Sequence, residues 1–166
     1  MGLASGFVEP LESTSIHLIM IAVTRLMQMF PFDGITPAIV DRFNVMADRE
    51  LEAIRDFIIL HYRLTNRPEP FWQRMREMDL PASLEERIAL FVESAHAFQA
   101  SDELFRVDSW VQVMLGQRLE PRQHHAMGRM IEKDRLAGVL TSMRRQIDQA
   151  VKALPTHSDY ISQRMR

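Results

Sequence analysis

The stretch Ser13-Thr14-Ser15-Ile16-His17-Leu18-Ile19-Met20-Ile21-Ala22-Val23 decides how this chain folds. Its three consecutive hydroxyl residues offer N-caps, because a side-chain oxygen can accept an amide proton that the first helical turn leaves unpaired. From Ile16 to Val23 only His17 is strongly polar, and a helix without a polar face must be covered nearly all round. The helix should run to Phe30 and stop before Pro31. His17, Thr24, Arg25 and Gln28 interrupt the apolar run, which is also too short for a membrane span. The stretch therefore reads as a helix buried on most sides.

Upstream, Gly2 to Leu11 lacks helical character, and Ser5-Gly6 and Pro10 indicate a strand or loop leading into the helix. Downstream, Thr36-Pro37 places a cap before a first-turn proline. Phe43, Met46, Leu51, Ile54, Phe57, Ile58 and His61 then follow a helical stripe to about Leu64. Pro68 and Pro70 break it, and a short helix is expected over Phe71 to Met78. Ser83 and Glu86 have capping-box spacing ahead of a helix from Leu84 to Phe98. Another short helix is expected from Ser109 to Leu115, closed by Gly116. Leu136, Leu140, Met143, Ile147, Val151 and Leu154, spaced 4, 3, 4, 4 and 3 apart, mark a last long helix that Pro155 ends. The fold class is mainly α, with about six helices after a short N-terminal loop.

Composition narrows the functional classes. Hydrophobic residues make up 46% and charged residues 25%, the balance of a globular chain rather than a disordered one. The net charge of -2 gives no reason to expect nucleic acid or an anionic membrane as partner. With no cysteine, disulfides and thiolate metal sites are excluded, and a cytoplasmic setting is the default. The first ten residues carry Glu9 and Pro10 and lack the basic start of a signal peptide.

The chemistry concentrates in Gly6-Phe7-Val8-Glu9-Pro10-Leu11-Glu12-Ser13-Thr14-Ser15-Ile16-His17, a tight loop that delivers a carboxylate to the mouth of a helix. First-turn amides lack intrahelical partners and carry the positive end of the helix dipole, so such a site can bind a small anion. On spacing alone, the plainer reading is the favoured one: Ser13 or Thr14 caps the helix and Glu12 favours its dipole.

This segment resembles the F-x-E-P-L-E-S-T-x-I signature of the flavin-dependent tryptophan halogenases, through Phe7, Glu9, Pro10, Leu11, Glu12, Ser13, Thr14 and Ile16. The preceding Gly2-Leu3-Ala4-Ser5-Gly6 is similar to the family's lead-in. Arg55-Asp56-Phe57, His61-Tyr62, Pro70-Phe71-Trp72, Leu154-Pro155 and Tyr160-Ile161 resemble later landmarks, so the likeness extends over essentially the whole chain. It implies a C-terminal, helical, substrate- and halide-side region over residues 1–166, normally packed against an α/β FAD-binding domain.

The resemblance implies an enzyme that uses reduced FAD, oxygen and chloride or bromide to halogenate tryptophan or another indole-like aromatic, as in antibiotic biosynthesis. A separate flavin reductase supplies the reduced cofactor, and a homodimer is within the family pattern. The oxidised halide reaches the ring through a tunnel and a lysine. Glu12 falls on the glutamate beside the substrate, Thr14 and Ser15 on the halide-holding amides, and Leu3 and Ile16 on backbone contacts to the isoalloxazine. A carboxylate about 4 Å from chloride would be repelled by about 4 kcal/mol at an effective dielectric of 20, against at most about 2 kcal/mol of helix-end attraction. Glu12 and the halide should therefore face different sides of the loop.

Two departures bear on specificity. Many family members have glycine where this chain has Ser15, whose side chain could narrow the halide pocket. Members acting on free tryptophan carry a longer lid, whereas the corresponding Ala100 to Gln117 is short and offers Glu103, Phe105 and Trp110. Phe105 and Trp110 are the expected substrate-side aromatics, and an indole-like or bulkier aromatic fits at least as well as free tryptophan. No G-x-G-x-x-G is present, and the only lysines, Lys133 and Lys152, do not match the family's catalytic lysine. The FAD-binding part is thus expected upstream, with Met1 an artificial or truncated start and the isolated chain inactive.

Other residues have plainer readings. The adjacent His124-His125 do not share a helical face and have no third ligand at metal spacing, so no metal site is expected. His17 and His61 sit in apolar stripes as hydrogen-bonded core or cavity residues, and Trp72 reads as core. The twelve methionines read as core filler at helical spacing. The rival to the enzyme reading is a stand-alone all-α ligand-binding or interaction module without catalysis.

Overall fold

The computed structural model describes residues 7–9, 14–100 and 103–165, and among these there is no strand. The chain divides into two compact units, Met1–Gln123 and His124–Arg166. The first unit holds α1 (Thr14–Gln28), α2 (Pro37–Arg63), α3 (Pro70–Glu77), α4 (Ala82–Ser94) and α5 (Val107–Gly116). The second holds a 3₁₀ turn (Ala126–Met130), α6 (Lys133–Ala153) and α7 (His157–Arg164). The mainly α expectation is met, with α7 a helix that periodicity does not reveal. Its Thr156 cap, accepting from the amide of Asp159 at 3.2 Å, starts a new helix directly after Pro155. No described helix is long and apolar enough to cross a membrane.

Helix α2 organises the first unit and packs against α1, α3, α4 and α5. It begins as its sequence dictates: the Thr36 hydroxyl accepts from the Ile39 amide at 3.4 Å, with Pro37 in the first turn. Glu50, Ile54, Phe57 and Ile58 repeat at helical intervals and are all buried. The core is Ile54, Phe57, Ile58 and Leu60 of α2, Leu84 and Phe91 of α4, Phe105, and Trp110 and Met114 of α5. Phe57 is its hub. Its ring stacks on Phe105 at 3.7 Å and meets Trp110 edge-on at 4.9 Å and His61 edge-on at 4.8 Å. His61 is hydrogen-bonded through Nδ1 to the Phe57 carbonyl at 2.8 Å.

Three helix ends differ from the sequence expectation. Ser83 does not cap α4, which starts at Ala82 after Pro81; its hydroxyl donates to Asp56 instead. Asp56 is buried, so its carboxylate needs donors, and it also takes two from Arg55 at 2.8 and 3.0 Å. The same helix ends at Ser94 rather than Phe98, because Ala95 adopts a left-handed conformation at φ 53. Gly116 stays inside α5, and the left-handed residue is Arg118 at φ 65. The Leu119 amide returns to the Met114 carbonyl at 2.8 Å, which closes α5 and carries Leu119 onto the core.

The expectation that α1 is buried on most sides is not met by the described residues. Only Thr14 and Arg25 are buried in α1, while Ile16 is 64% exposed, Met20 63% and Met27 72%. Neighbouring α2 covers one stripe of a helix that is apolar on several, so the others face outward. Arg25 ties α1 to α2 through Glu50 at 2.6 Å, with both side chains buried. In the second unit, no residue of α6 or α7 is buried, and Ile147 and Leu154 of the apolar stripe stay open.

Candidate functional site

The loop and the start of α1 form one hydrogen-bonded unit. The fully buried Thr14 donates its hydroxyl to the Glu9 carbonyl at 3.0 Å. Ser15 donates its hydroxyl to the Val8 carbonyl at 3.2 Å. Both hydroxyls thus point back along the chain and tie the Val8–Glu9 segment to the start of α1. The groups at this helix start that lack an intrahelical partner are the first-turn amides. No acidic residue stands in the first turn of α1, so its positive dipole end is not neutralised from within the helix.

A third tie comes from far along the chain. The Tyr62 hydroxyl lies 2.6 Å from both carboxylate oxygens of Glu9, across 53 residues of sequence. The hydrogen bond to Glu9, then burial, then the carboxylate charge push the Tyr62 phenol above its ordinary value of 10.0, so it stays protonated and donating at neutral pH. The Tyr62 ring is itself placed by its neighbours. Trp72 stacks on it at 5.5 Å, Phe71 meets it edge-on at 6.3 Å, and Arg67 lies over Trp72 at 5.1 Å. Arg76 holds α3 in place by donating to the Thr65 and Arg67 carbonyls at 3.0 and 2.7 Å.

The site residues expected from sequence fall into three groups. Thr14, Ser15 and the preceding Val8–Glu9 segment come together as described. Glu12 and Leu3, with Ser13, lie outside the described residues. Ile16 is on the open face of α1. Phe105 and Trp110 are brought together around Phe57, and at 7% and 1% exposure neither offers a free ring face. Trp110 is enclosed further by the Arg87 guanidinium 3.9 Å above its ring; Arg87 pairs with Glu103 and donates to the Phe98 carbonyl at 2.6 Å.

Sequence reasoning missed the Glu9–Tyr62 pair and took Trp72 for core, although it is half-buried and backs Tyr62. Residues 53 apart carry no spacing signal; the only hint was that both fall in family-like segments. A hollow of about 390 Å³ beside α1 is lined by His17, Arg25, Glu50 and Glu103 among others. Nε2 of His17, Nε of Arg25 and Oε2 of Glu103 are buried there without hydrogen-bond partners. Among the described residues no three His, Cys, Asp or Glu side chains converge as metal ligands would.

The sequence profile of the tryptophan halogenase family matches residues 1–133, and the chain belongs to that family. A flavin-dependent halogenase from Xanthomonas campestris is 41% identical and superposes with a TM-score of 0.90, over 98% of this chain and 33% of its own. A flavin-dependent halogenase from Brevundimonas sp. BAL3 is 39% identical, with a TM-score of 0.89 over the same shares. The tryptophan 7-halogenase of Lentzea aerocolonigenes is 35% identical over 92 residues, which is 55% of this chain and 17% of that protein. The chain therefore spans about a third of the solved relatives it matches, at 33% of their length.

Proposed function

We propose that this chain carries the glutamate and halide loop of an enzyme that halogenates an indole-like aromatic with chloride or bromide. The first-turn amides at Thr14 and Ser15 hold the halide, and Glu12 stands beside the substrate. FAD, when bound, would be held in part by the backbone at Leu3 and Ile16. The observation that supports this most is the direction of the two hydroxyls. Thr14 and Ser15 donate to the Glu9 and Val8 carbonyls, and the start of α1 is left without a first-turn carboxylate. A helix start of that kind suits a small anion and favours it by about 0.3 to 2 kcal/mol. Ser15 keeps the backbone amide that glycine has in other members, and its hydroxyl is drawn to Val8.

Reduced FAD, when bound, supplies with oxygen the two-electron oxidation of the halide. This chain's own residues do the rest of the work on their side: the amides fix where the halide sits, and Glu12 accepts the ring proton released as the carbon–halogen bond forms. Phe105 and Trp110, packed in the core around Phe57, act on the substrate side by supporting the residues that line it rather than by offering a ring face. A flavin reductase provides the reduced cofactor, and the setting is cytoplasmic. An indole-bearing substrate is in keeping with a 7-chloro-L-tryptophan 6-halogenase from Kutzneria sp. (strain 744), to which the chain is 39% identical over 89 residues, 53% of this chain and 17% of that protein.

The test uses the full-length enzyme with a flavin reductase, bromide, and indole or tryptophan, read by mass spectrometry for the bromine isotope pair. Brominated product is expected, and Glu12→Gln should lower its rate by about 100-fold or more. An intact, flavin-loaded enzyme that brominates and chlorinates neither aromatic would overturn the reading.

A further inference from the structure

We infer that Tyr62 is a positioning residue for the halide loop, acting through the Glu9 carboxylate, and this inference rests on the halide reading of Thr14 and Ser15. The argument is geometric. A loop that presents backbone amides to an anion binds only as well as its backbone is held, because small displacements of N–H donors weaken a hydrogen bond steeply. In the segment from Val8 to Ser15, two staples are local: Thr14 to the Glu9 carbonyl and Ser15 to the Val8 carbonyl. Both tie the Val8–Glu9 segment to the start of α1. Val8 also packs against the core, but an apolar contact is non-directional and does not orient the backbone. The Tyr62–Glu9 contact, 2.6 Å to each carboxylate oxygen, adds a directional tie and joins the segment to the C-terminal end of α2.

Residue choice fits the task. A carboxylate acceptor gives a charge-assisted hydrogen bond, stronger than one to a neutral oxygen. The phenol carries its donor on a rigid ring, and that ring is braced by Trp72 and Phe71 of α3. Glu9 stands three residues before Glu12 and five before Thr14, so one anchor serves both the substrate-side carboxylate and the halide-side amides. The buried residues of α2 end at Leu60, two residues before Tyr62, so Glu9 is tied to the helix that packs against α1, α3, α4 and α5.

The experiment compares full-length wild type, Tyr62→Phe and Glu9→Gln by two readouts. The first is the KM for bromide against kcat, with indole as acceptor. The second is amide hydrogen exchange of the segment 7–17 in the flavin-loaded enzyme. Tyr62→Phe should raise the bromide KM on the order of tenfold with kcat at saturating bromide little changed, and should speed exchange across the segment. Glu9→Gln keeps an acceptor for the phenol and should fall between wild type and Tyr62→Phe in both. A fall in kcat alone would mark a general loss of folded enzyme and overturn the inference, as would unchanged exchange in Tyr62→Phe. If wild type makes no halogenated product while Tyr62→Phe still loosens the segment, the clamp stands and the halide reading is what fails.

Discussion

Helices α1 and α2 are neighbours in the same unit, yet they use apolar residues in opposite ways. Helix α2 has charged residues on its outer side and buries Ile54, Phe57, Ile58 and Leu60 within its own unit. Helix α1 is the more apolar sequence, and it leaves Ile16, Met20, Val23 and Met27 open. Hydrophobicity by itself did not determine which helix became the centre. What mattered was periodicity: α2 has a single stripe that four neighbouring helices can cover, whereas α1 has apolar residues on several sides and packs mainly against α2. The contrast teaches that α2 is the scaffold and α1 a surface-forming element, and the loop that carries the candidate site is attached to both.

The sharpest way to break this comparison is at the hub of the scaffold. Phe57→Ala removes the ring that Phe105, Trp110 and His61 all touch, and should destabilise the chain by about 3–5 kcal/mol in urea unfolding. A cost under about 1 kcal/mol, the range of an ordinary surface substitution, would mean that α2 is not the organising element. Next comes the tie between the two helices. Glu50→Ala leaves Arg25 buried and unpaired, which should cost about 3 kcal/mol. Replacing both partners by apolar residues of similar volume should recover most of that loss, because the desolvation cost of the pair disappears with it. A smaller effect is expected at the end of α4. Ala95 is a non-glycine residue at φ 53, so Ala95→Gly should raise stability by up to about 1 kcal/mol, measured as a shift of the urea midpoint.

These same places mark how far the sequence could be read. The α2 stripe, the Thr36-Pro37 start and the break at Pro68 and Pro70 were legible because each is a local signal with one dominant outcome. Ser83 was not legible: a capping-box spacing is local, but the buried Asp56 carboxylate 27 residues away needed its hydroxyl more. The turns at Ala95 and Arg118 were hidden because neither residue is a usual choice for a left-handed position; tertiary packing, as with Leu119, imposed them. Of the site, the motif from Phe7 to Ile16 was visible as a resemblance, and α1 starts at Thr14, within the run of three hydroxyl residues that marked its beginning. The direction of the Thr14 and Ser15 hydroxyls and the Glu9–Tyr62 contact needed coordinates, since nothing in the chain's periodicity relates residues 9 and 62. Phe105 and Trp110 were singled out as site aromatics from their place in the short lid segment, and the structure shows how firmly both are packed.

The smallest effect is also the most discriminating, because it should change size with context. Met20 is 63% exposed in α1, so Met20→Glu should alter the stability of this 166-residue chain by no more than about 0.5 kcal/mol. It should also lower the binding of a dye such as ANS, which reports contiguous open apolar surface. In the full-length enzyme, this chain's share of which is 33% in the solved relatives, the same substitution should cost several kcal/mol if the open face of α1 is covered by another part of the protein. A carboxylate placed on a covered apolar face has no partner, while on an open face it is solvated, and the two cases differ by far more than the error of an unfolding curve. Equal, small effects in both contexts would show that α1 stays open in the complete enzyme, and that its apolar residues serve a ligand or a separate partner rather than the fold.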